Sequence, residues 1–344
     1  MLRALSAPPD LPLPAPPSSP EPDLNGVVRT VLSASLSSNT RRAYATQMVK
    51  FRAWAAEHDV RPLPASPAAV AAYLAHLAGI ERRSLSSVKL AMAAIAAAHR
   101  LAGRPFDVRD HRIRAVLKGV ARIYPREPRQ AAPLRPAMLR SMLDELGVSL
   151  LERRDAALLA LLFAGALRRS ELVGLDWLVP GTGDGTLALA DHKIVVRLRL
   201  SKARVHTENI EIPAANNPAL VAALSAWVAA ARLRPGEAVF RSVGKGGRLG
   251  GRLAAGGVSS IIKACITAHL IARGCSSEAA SAQAASFSGH SGRVGFYTAA
   301  AEAGVPVDAV AALARHRSLT IATRYARQAN LLRRAPSKHP ELAL

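Results

Sequence analysis

A proline-rich segment in the middle of the chain most limits how this sequence can fold. Between Pro125 and Pro136 a proline recurs every few residues, no apolar period is present, and several side chains are basic. Patterned sequence lies on both sides, and 344 residues are enough for two hydrophobic cores. We therefore predict a linker between two domains.

Four amphipathic helices are predicted before the linker. The first shows apolar residues at spacings of three and four from Asn39 onward. The second begins with Ser66 as N-cap and Pro67 as first helical residue, and the third runs from about Ser84 to Gly103. The fourth contains Ile113 among its apolar residues. Together they predict a small helical bundle.

A different pattern follows the linker. Two helices are expected first, and the second of them is so apolar that it must be buried on nearly all sides. Three segments with strand character then predict a small antiparallel sheet: Thr186 to Ala190, Ile194 to Leu200, and Thr207 to Ile212. Asn217 is expected to cap the next helix, the glycine-rich stretch from Gly244 to Gly257 is expected to be a flexible loop, and further helices follow.

The charge of the chain favours a polyanionic partner. Lys and Arg number 46 against 24 Asp and Glu, so the formal net charge is +22. No uninterrupted apolar run approaches the roughly 18 residues of a membrane span, so nucleic acid is favoured over a membrane. The alternative is an Arg-rich proteome that spreads basic charge without function. Only two cysteines are present, which excludes a disulfide framework and fits a reducing cytoplasm.

Six chemistry-bearing residues occur in three short motifs and one turn after the linker. Arg168 lies in Ala-Leu-Arg-Arg-Ser-Glu-Leu, with Glu171 three residues later, and a basic residue, Lys202, lies in the turn before the third strand. The remaining four follow in Gly-His-Ser-Gly-Arg and in Ala-Arg-His-Arg-Ser-Leu-Thr-Ile-Ala-Thr-Arg-Tyr, and they are His290, Arg293, His316 and Tyr325.

This ordered set resembles the tyrosine site-specific recombinases, the phage-integrase and Cre-like family. Their signature is an Arg followed by an acid, a Lys in a β-turn, His-x-x-Arg, a His or Trp, and a nucleophilic Tyr. The resemblance covers about residues 37 to 330, because Asn-Thr-Arg-Arg-Ala-Tyr at 39–44 also looks like the family's core-binding domain. A second His-x-x-Arg, at His111 to Arg114, lacks the other motifs and is interpreted as a solvated basic helix face.

The resemblance implies a role for each residue. Arg168 and Arg293 would clamp the non-bridging oxygens of a scissile phosphate, and Tyr325 would attack phosphorus to give a 3′-phosphotyrosine. His316 would donate to a non-bridging oxygen, and His290 would accept the tyrosine proton or orient the phosphate. The remaining assignments are Lys202 as the acid for the 5′ oxygen, Glu171 as a support, and Thr40, Arg41, Arg42 and Arg204 as DNA contacts.

Each position also has a structural interpretation when taken alone. Arg168 could form an ion pair with Glu171 at a helix start, and Arg293 could be a surface charge. Tyr325 could be a core tyrosine, Lys202 could be a solvent-facing turn residue with Arg204 two residues away, and each His could bond backbone at a helix end. Tyr297 is the next candidate nucleophile if Tyr325 is not the one.

The resemblance further implies a mainly α, two-domain protein: a helical, SAM-like core-binding bundle and an α+β catalytic domain with a small antiparallel sheet. It implies double-stranded DNA as partner, a homotetramer on paired sites, accessory DNA-bending proteins, no metal or other cofactor, no membrane, and a cytoplasmic, nucleoid-associated location. Expected segments are a disordered Pro/Ser-rich tail at 1–36, the core-binding domain at 37–125, a linker at 126–135, the catalytic domain at 136–330 and a tail at 331–344.

The reaction expected is site-specific recombination by integration, excision or resolution. Two alternatives stay open at this stage. One is a DNA-binding protein of the same fold that has lost catalysis, and the other is a type IB topoisomerase, which uses the same nucleophile to relax supercoiled DNA.

Overall fold

The computed structural model describes residues 38–125, 130–200, 206–306 and 308–309. The chain divides into two compact units, Met1–Pro128 and Arg129–Leu344, and the boundary falls inside the predicted linker. Each unit has its own hydrophobic core.

The first unit contains four helices, as the apolar spacing predicts: α1 (Ser38–Glu57), α2 (Pro67–Gly79), α3 (Leu85–Leu101) and α4 (His111–Ile123). The Ser66 hydroxyl accepts a hydrogen bond from the Ala69 backbone N–H at 3.2 Å, which confirms the predicted cap of α2. Phe51, Tyr73 and Ile95 are buried where α1, α2 and α3 meet. The His111-to-Arg114 motif lies on the exposed face of α4, as expected.

The second unit begins with three helices that lead to the site: α5 (Pro136–Glu145), α6 (Leu150–Ala164) and the short α7 (Arg169–Val173). Ser149 and Glu152 form a capping box at the start of α6. Most of α6 is buried, as its uniform apolar character predicts.

A four-stranded sheet follows, in the order β1 (Leu175–Trp177), β2 (Gly185–Ala190), β3 (Lys193–Leu200) and β4 (His206–Pro213). The three predicted strands are confirmed, and β2, β3 and β4 pair antiparallel. The prediction of a purely antiparallel sheet is wrong, because β1 pairs parallel to β2. Three residues are too few to show a period of two, so β1 leaves no recognisable pattern in the sequence.

The glycine-rich stretch is more ordered than predicted. After α8 (Pro218–Ala231), the strands β5 (Arg241–Val243) and β6 (Leu249–Arg252) form an antiparallel hairpin. Gly246 and Gly247 have φ values of 73° and 77°, which only glycine adopts readily, so they allow the tight turn. The Arg241 side chain donates from Nε to the Gly250 carbonyl at 2.7 Å and supports the pairing.

The remaining described helices are α9 (Ala255–Ala272), α10 (Ser277–Ala284) and α11 (Ser291–Glu302). The predicted side-chain cap of α8 is wrong: Asn217 precedes the helix, but its amide donates to the Pro213 carbonyl at 3.0 Å.

Within the described ranges, α9 is the one helix with the length and composition of a membrane span. Its Val258, Ile262 and Ile266 are buried in the core of the second unit, and Lys263 interrupts its apolar sequence. The helix is therefore a core helix, and because Lys263 lies within it, it is not an uninterrupted apolar run.

Candidate active site

Arg168, His290 and Arg293 come from distant parts of the chain, and the structure brings them together. Arg168 directly precedes α7, His290 directly precedes α11, and Arg293 lies in the first turn of α11. The Arg293 guanidinium donates to the carbonyl of Ala166, two residues before Arg168, and the Arg169 side chain packs against Gly289, the residue before His290. The motif residues that the structure describes therefore form one cationic cluster.

Glu171 fixes Arg168 at two points. The Arg168 backbone N–H donates to Glu171 Oε2 at 2.8 Å, and the guanidinium forms an ion pair with Oε1 of the same carboxylate. The Arg168 side chain is 38% exposed and that of Glu171 is 13% exposed. The carboxylate thus holds the arginine at the surface, where a substrate can reach it.

Arg293 is held in a different way, because it is only 5% exposed. Its Nη1 donates to the Ala166 carbonyl at 2.7 Å, and its guanidinium carbon lies 5.7 Å from the centroid of the Tyr297 ring. Tyr297 is 1% exposed and packs with Ala166 in a small apolar cluster. A cation over an aromatic face is attracted by the ring quadrupole, so Tyr297 supports Arg293 from inside the protein.

Close packing of α11 against its neighbours fixes the position of Arg293. A Cβ atom on Gly292 would lie 2.8 Å from Leu162 Cγ, and one on Gly295 would lie 2.0 Å from the Leu134 carbonyl oxygen. The helix therefore approaches α6 and the backbone at Leu134 as closely as only glycine permits. Two glycines that flank Arg293 in the sequence thus set its position in the unit.

The loop before α11 presents His290 at the surface. The His290 backbone N–H donates to Ser288 Oγ at 3.2 Å, and the Ser288 N–H donates to Ser291 Oγ at 2.9 Å. Although the residue is exposed, protein atoms crowd its ring, and this loss of hydration is the largest cause that lowers its pKa below the ordinary value. The guanidiniums of Arg169, Arg293 and Arg168 lower it further, so the ring is poised to be neutral.

Three of the predicted catalytic residues, Lys202, His316 and Tyr325, lie outside the described residues, as does Arg204. Thr40, Arg41 and Arg42 lie within the first five residues of α1, and both arginines are exposed. Tyr297, the next candidate nucleophile, is only 1% exposed, and in this conformation it is too deeply buried to attack a DNA strand. In the described part of the chain, no group of three or more His, Cys, Asp or Glu side chains is arranged to hold a metal ion.

A family comparison agrees with this geometry. The model of the phage integrase family matches residues 133–331, which is more than half of the chain and includes every residue of the cluster. The chain belongs to the phage integrase family. The expectation of an enzyme of the tyrosine recombinase type is thereby confirmed.

Individual proteins of known sequence or structure are similar to this phage integrase family protein over most of its length. It is 30% identical to the integrase/recombinase XerD homolog of Selenomonas ruminantium over 318 residues, 88% of this chain and 85% of that protein. Its fold is similar to that of the XerH site-specific recombinase bound to difH DNA, with TM-score 0.58, 14% identity and coverage of 86% and 79% of the two chains. The Tn1549 transposon integrase in complex with transposon right end DNA gives TM-score 0.55, 16% identity and coverage of 90% and 99%.

Some residues of this site carry no recognisable signal in the sequence. The motif singles out Arg168 but not its neighbour Arg169. Ala166 acts through its carbonyl, which no side-chain pattern reveals, and the sequence suggests Tyr297 only as a nucleophile. The spacing of Arg293 and Tyr297, four residues apart on one helix, was the available signal for their contact.

Proposed function

We propose that this protein is a site-specific recombinase that cleaves and rejoins duplex DNA through a 3′-phosphotyrosyl intermediate on Tyr325. The observation that carries the proposal is the cluster of Arg168, His290 and Arg293, which combines two guanidiniums of fixed position with a histidine poised to be neutral. Membership of the phage integrase family supports the same reaction.

The two arginines suit a phosphodiester under attack. The pentavalent phosphorus carries negative charge on its two non-bridging oxygens, and a guanidinium donates two parallel hydrogen bonds to such a group. Arg168 is bound by Glu171 and Arg293 by Ala166, so neither has to be ordered when the DNA arrives. Donors fixed in advance are worth more in the transition state than donors that must reorganise.

Cleavage exchanges one bond at phosphorus for another and moves two protons. The Tyr325 oxygen forms a bond to phosphorus, the bond from phosphorus to the 5′ oxygen breaks, and the tyrosine proton passes to neutral His290. His316 donates to a non-bridging oxygen, and Lys202 gives a proton to the departing 5′ oxygen, which leaves as a hydroxyl. Rejoining is the reverse reaction, with the 5′ hydroxyl of a partner strand as nucleophile.

The rest of the proposal concerns recognition and assembly. Arg41 and Arg42, exposed at the start of α1, together with Thr40 and Arg204, contact the DNA backbone, as the net charge of +22 favours. Four copies assemble on two paired DNA sites, with accessory DNA-bending proteins as further partners. The enzyme works in the cytoplasm on the nucleoid, and by resemblance to its family it uses no cofactor.

The direct test is capture of the covalent intermediate on a nicked duplex that carries the recombination site, analysed by SDS gel electrophoresis. The wild-type protein should give an SDS-stable adduct, and Tyr325→Phe should bind the DNA equally well but give none. Tyr297→Phe is the matched control and should still form the adduct, because that side chain is buried. An adduct with Tyr325→Phe refutes the nucleophile.

A second assay separates recombination from simple relaxation. A plasmid with two sites should be converted to exchange products, whereas a type IB topoisomerase would relax it without exchange. A chain that binds DNA and gives neither product would be the inactive alternative.

The role of Lys202 has its own test. Lys202→Ala should be slow on normal DNA but largely restored on a substrate whose bridging 5′ oxygen is sulfur, because a thiolate leaves without a proton. Arg168→Ala should not be restored, since it acts on the non-bridging oxygens. Equal rescue of both variants, or of neither, would count against Lys202 as the acid.

A further inference from the structure

Arg169 is a third arginine at the site that no family motif singles out. It is the first residue of α7, directly after Arg168, and it is exposed. Arg168 is bound by Glu171, but within the described residues Arg169 forms no ion pair. Its charge is therefore not neutralised by a carboxylate in that part of the chain.

The aliphatic part of Arg169 lies against the backbone that carries His290. A Cβ atom on Gly289 would lie 3.0 Å from Arg169 Cδ and 3.2 Å from Arg169 Cβ. The Gly289 N–H in turn donates to Ser259 Oγ on α9 at 3.0 Å. The arginine thus packs on a fixed loop at the residue directly before His290, although the two are far apart in the sequence.

Among the described residues, the charges that shift the pKa of His290 all have the same sign. They come from Arg169 on α7, from Arg293 on α11 and from Arg168 before α7, and Arg169 has the largest effect of the three. Glu171, the acid closest in sequence to these arginines, is already ion-paired with Arg168. Each arginine disfavours a proton on the histidine ring.

We propose that Arg169 is a positioning residue of the recombinase site, a third cation that acts on the reaction through His290 by keeping the imidazole in its neutral form. The inference rests on the proposed function, in which His290 accepts the proton of Tyr325.

A third cation is needed because of the substrate. When DNA binds, the scissile phosphate brings negative charge next to His290 and favours the protonated ring, which cannot accept a proton. Arg168 and Arg293 are the groups whose charge the phosphate neutralises directly. Arg169 packs against Gly289, the residue directly before His290, and forms no ion pair within the described residues, so its charge offsets the effect of the phosphate.

The first test measures the pKa of His290 in the full-length protein without DNA, by NMR titration of the ring Cε1–H, assigned from its loss in His290→Gln. Arg169→Gln should raise the pKa above that of the wild-type protein, because one of the charges that lower it is gone. Arg169→Lys keeps the charge and should stay close to the wild type. Arg140→Gln removes an exposed arginine from α5 as a matched control and should change nothing.

The second test is the pH dependence of single-turnover adduct formation. In Arg169→Gln the rate should begin to fall at a higher pH than in the wild type as the solution is acidified. Arg169→Lys should follow the wild-type curve. A side chain that only stabilised the fold would lower the rate at every pH without moving this limb.

The outcomes separate the two proposals. Equal His290 pKa values in wild type and Arg169→Gln would overturn the role of Arg169. A second result would also overturn it: loss of DNA affinity in both Arg169→Gln and Arg169→Lys, with no shift in the pH at which the rate falls on acidification. That result would mean that the Arg169 guanidinium contacts a DNA phosphate directly through two hydrogen bonds. If no variant forms an adduct at any pH, the proposed function fails, but the NMR titration still decides whether Arg169 acts on His290.

Discussion

Replacement of Asp176 should destabilise the second unit far more than the loss of an ordinary ion pair. Asp176 lies in β1 and is fully buried. Its Oδ2 accepts hydrogen bonds from the backbone N–H groups of Gly181 at 2.7 Å and Gly183 at 2.8 Å, and its Oδ1 forms an ion pair with Arg252. One carboxylate therefore satisfies two backbone donors and one guanidinium.

The magnitude follows from these partners. Asp176→Ala leaves two backbone donors without an acceptor, at about 1–3 kcal/mol each, and it separates a buried charge pair, at about 3–5 kcal/mol when fully buried. Arg252 is partly exposed and keeps its bonds to the carbonyls of Val173 at 2.7 Å and Leu175 at 3.2 Å, which reduces the second contribution. We expect a loss of about 3–5 kcal/mol in the free energy of unfolding.

Urea denaturation followed by tryptophan fluorescence measures this loss. A Trp54→Phe background removes the tryptophan of the first unit, so the signal comes from Trp177 and Trp227 of the second. The midpoint should fall while the slope with urea stays constant. A change of slope would indicate that the folded or unfolded state itself had changed.

The matched control is the exposed pair of Lys193 and Glu211, which are 2.8 Å apart with side chains 46% and 54% exposed. Water screens such a pair, so Lys193→Ala should cost less than about 1 kcal/mol. If Asp176→Ala costs no more than Lys193→Ala, the reasoning from burial is refuted.

Two further predictions concern the packing of α11. Gly295→Ala should lower the melting temperature of the second unit, because the new Cβ would lie 2.0 Å from the Leu134 carbonyl oxygen. The control is Gly119→Ala on α4, where a Cβ meets nothing within 4 Å, and it should stabilise the first unit slightly. Equal shifts of the two melting temperatures in calorimetry would contradict this prediction. Tyr297→Leu should lower both the stability of the second unit and the rate of adduct formation, because Arg293 loses the aromatic ring beside its guanidinium. Tyr297→Phe keeps the ring and should retain most of the stability and of the rate. Adduct formation by Tyr297→Leu at the wild-type rate would show that the ring does not support Arg293.

Much of the fold could be predicted because long elements carry a period. The helices of the first unit and the strands β2 to β4 repeat their pattern often enough to be recognised. The strand β1 could not be predicted, since its three residues are held by non-local partners: Leu175 and Trp177 pair with β2, and Asp176 binds Arg252. The hairpin of β5 and β6 is not predictable because glycine has low strand propensity, and the bond from Arg241 to the Gly250 carbonyl that supports its pairing leaves no local pattern.

The residues of the candidate site that could be predicted are those whose side chains belong to recognisable motifs. Arg168, His290 and Arg293 could be named from the sequence, and the structure brings them together. The groups that hold them could not be named in the same way. The Ala166 carbonyl reaches Arg293 across 127 positions of the chain, and such contacts arise from packing and not from local pattern.

The two motif arginines differ in a way that matters for the proposed contact with the scissile phosphate. Arg293 is almost fully buried, so its hydration is already lost before any substrate binds, whereas Arg168 is still partly hydrated. The Arg293 guanidinium donates to the Ala166 carbonyl, and the Arg168 guanidinium is ion-paired with the Glu171 carboxylate. Because a charge acts more strongly where water is excluded, we expect the buried Arg293 to provide the stronger field at phosphorus and the more exposed Arg168 to provide a donor that can adjust to the strand. On this reasoning Arg293→Lys should be the more damaging of the two lysine substitutions, because a lysine cannot keep both the Ala166 hydrogen bond and a bidentate contact with the phosphate.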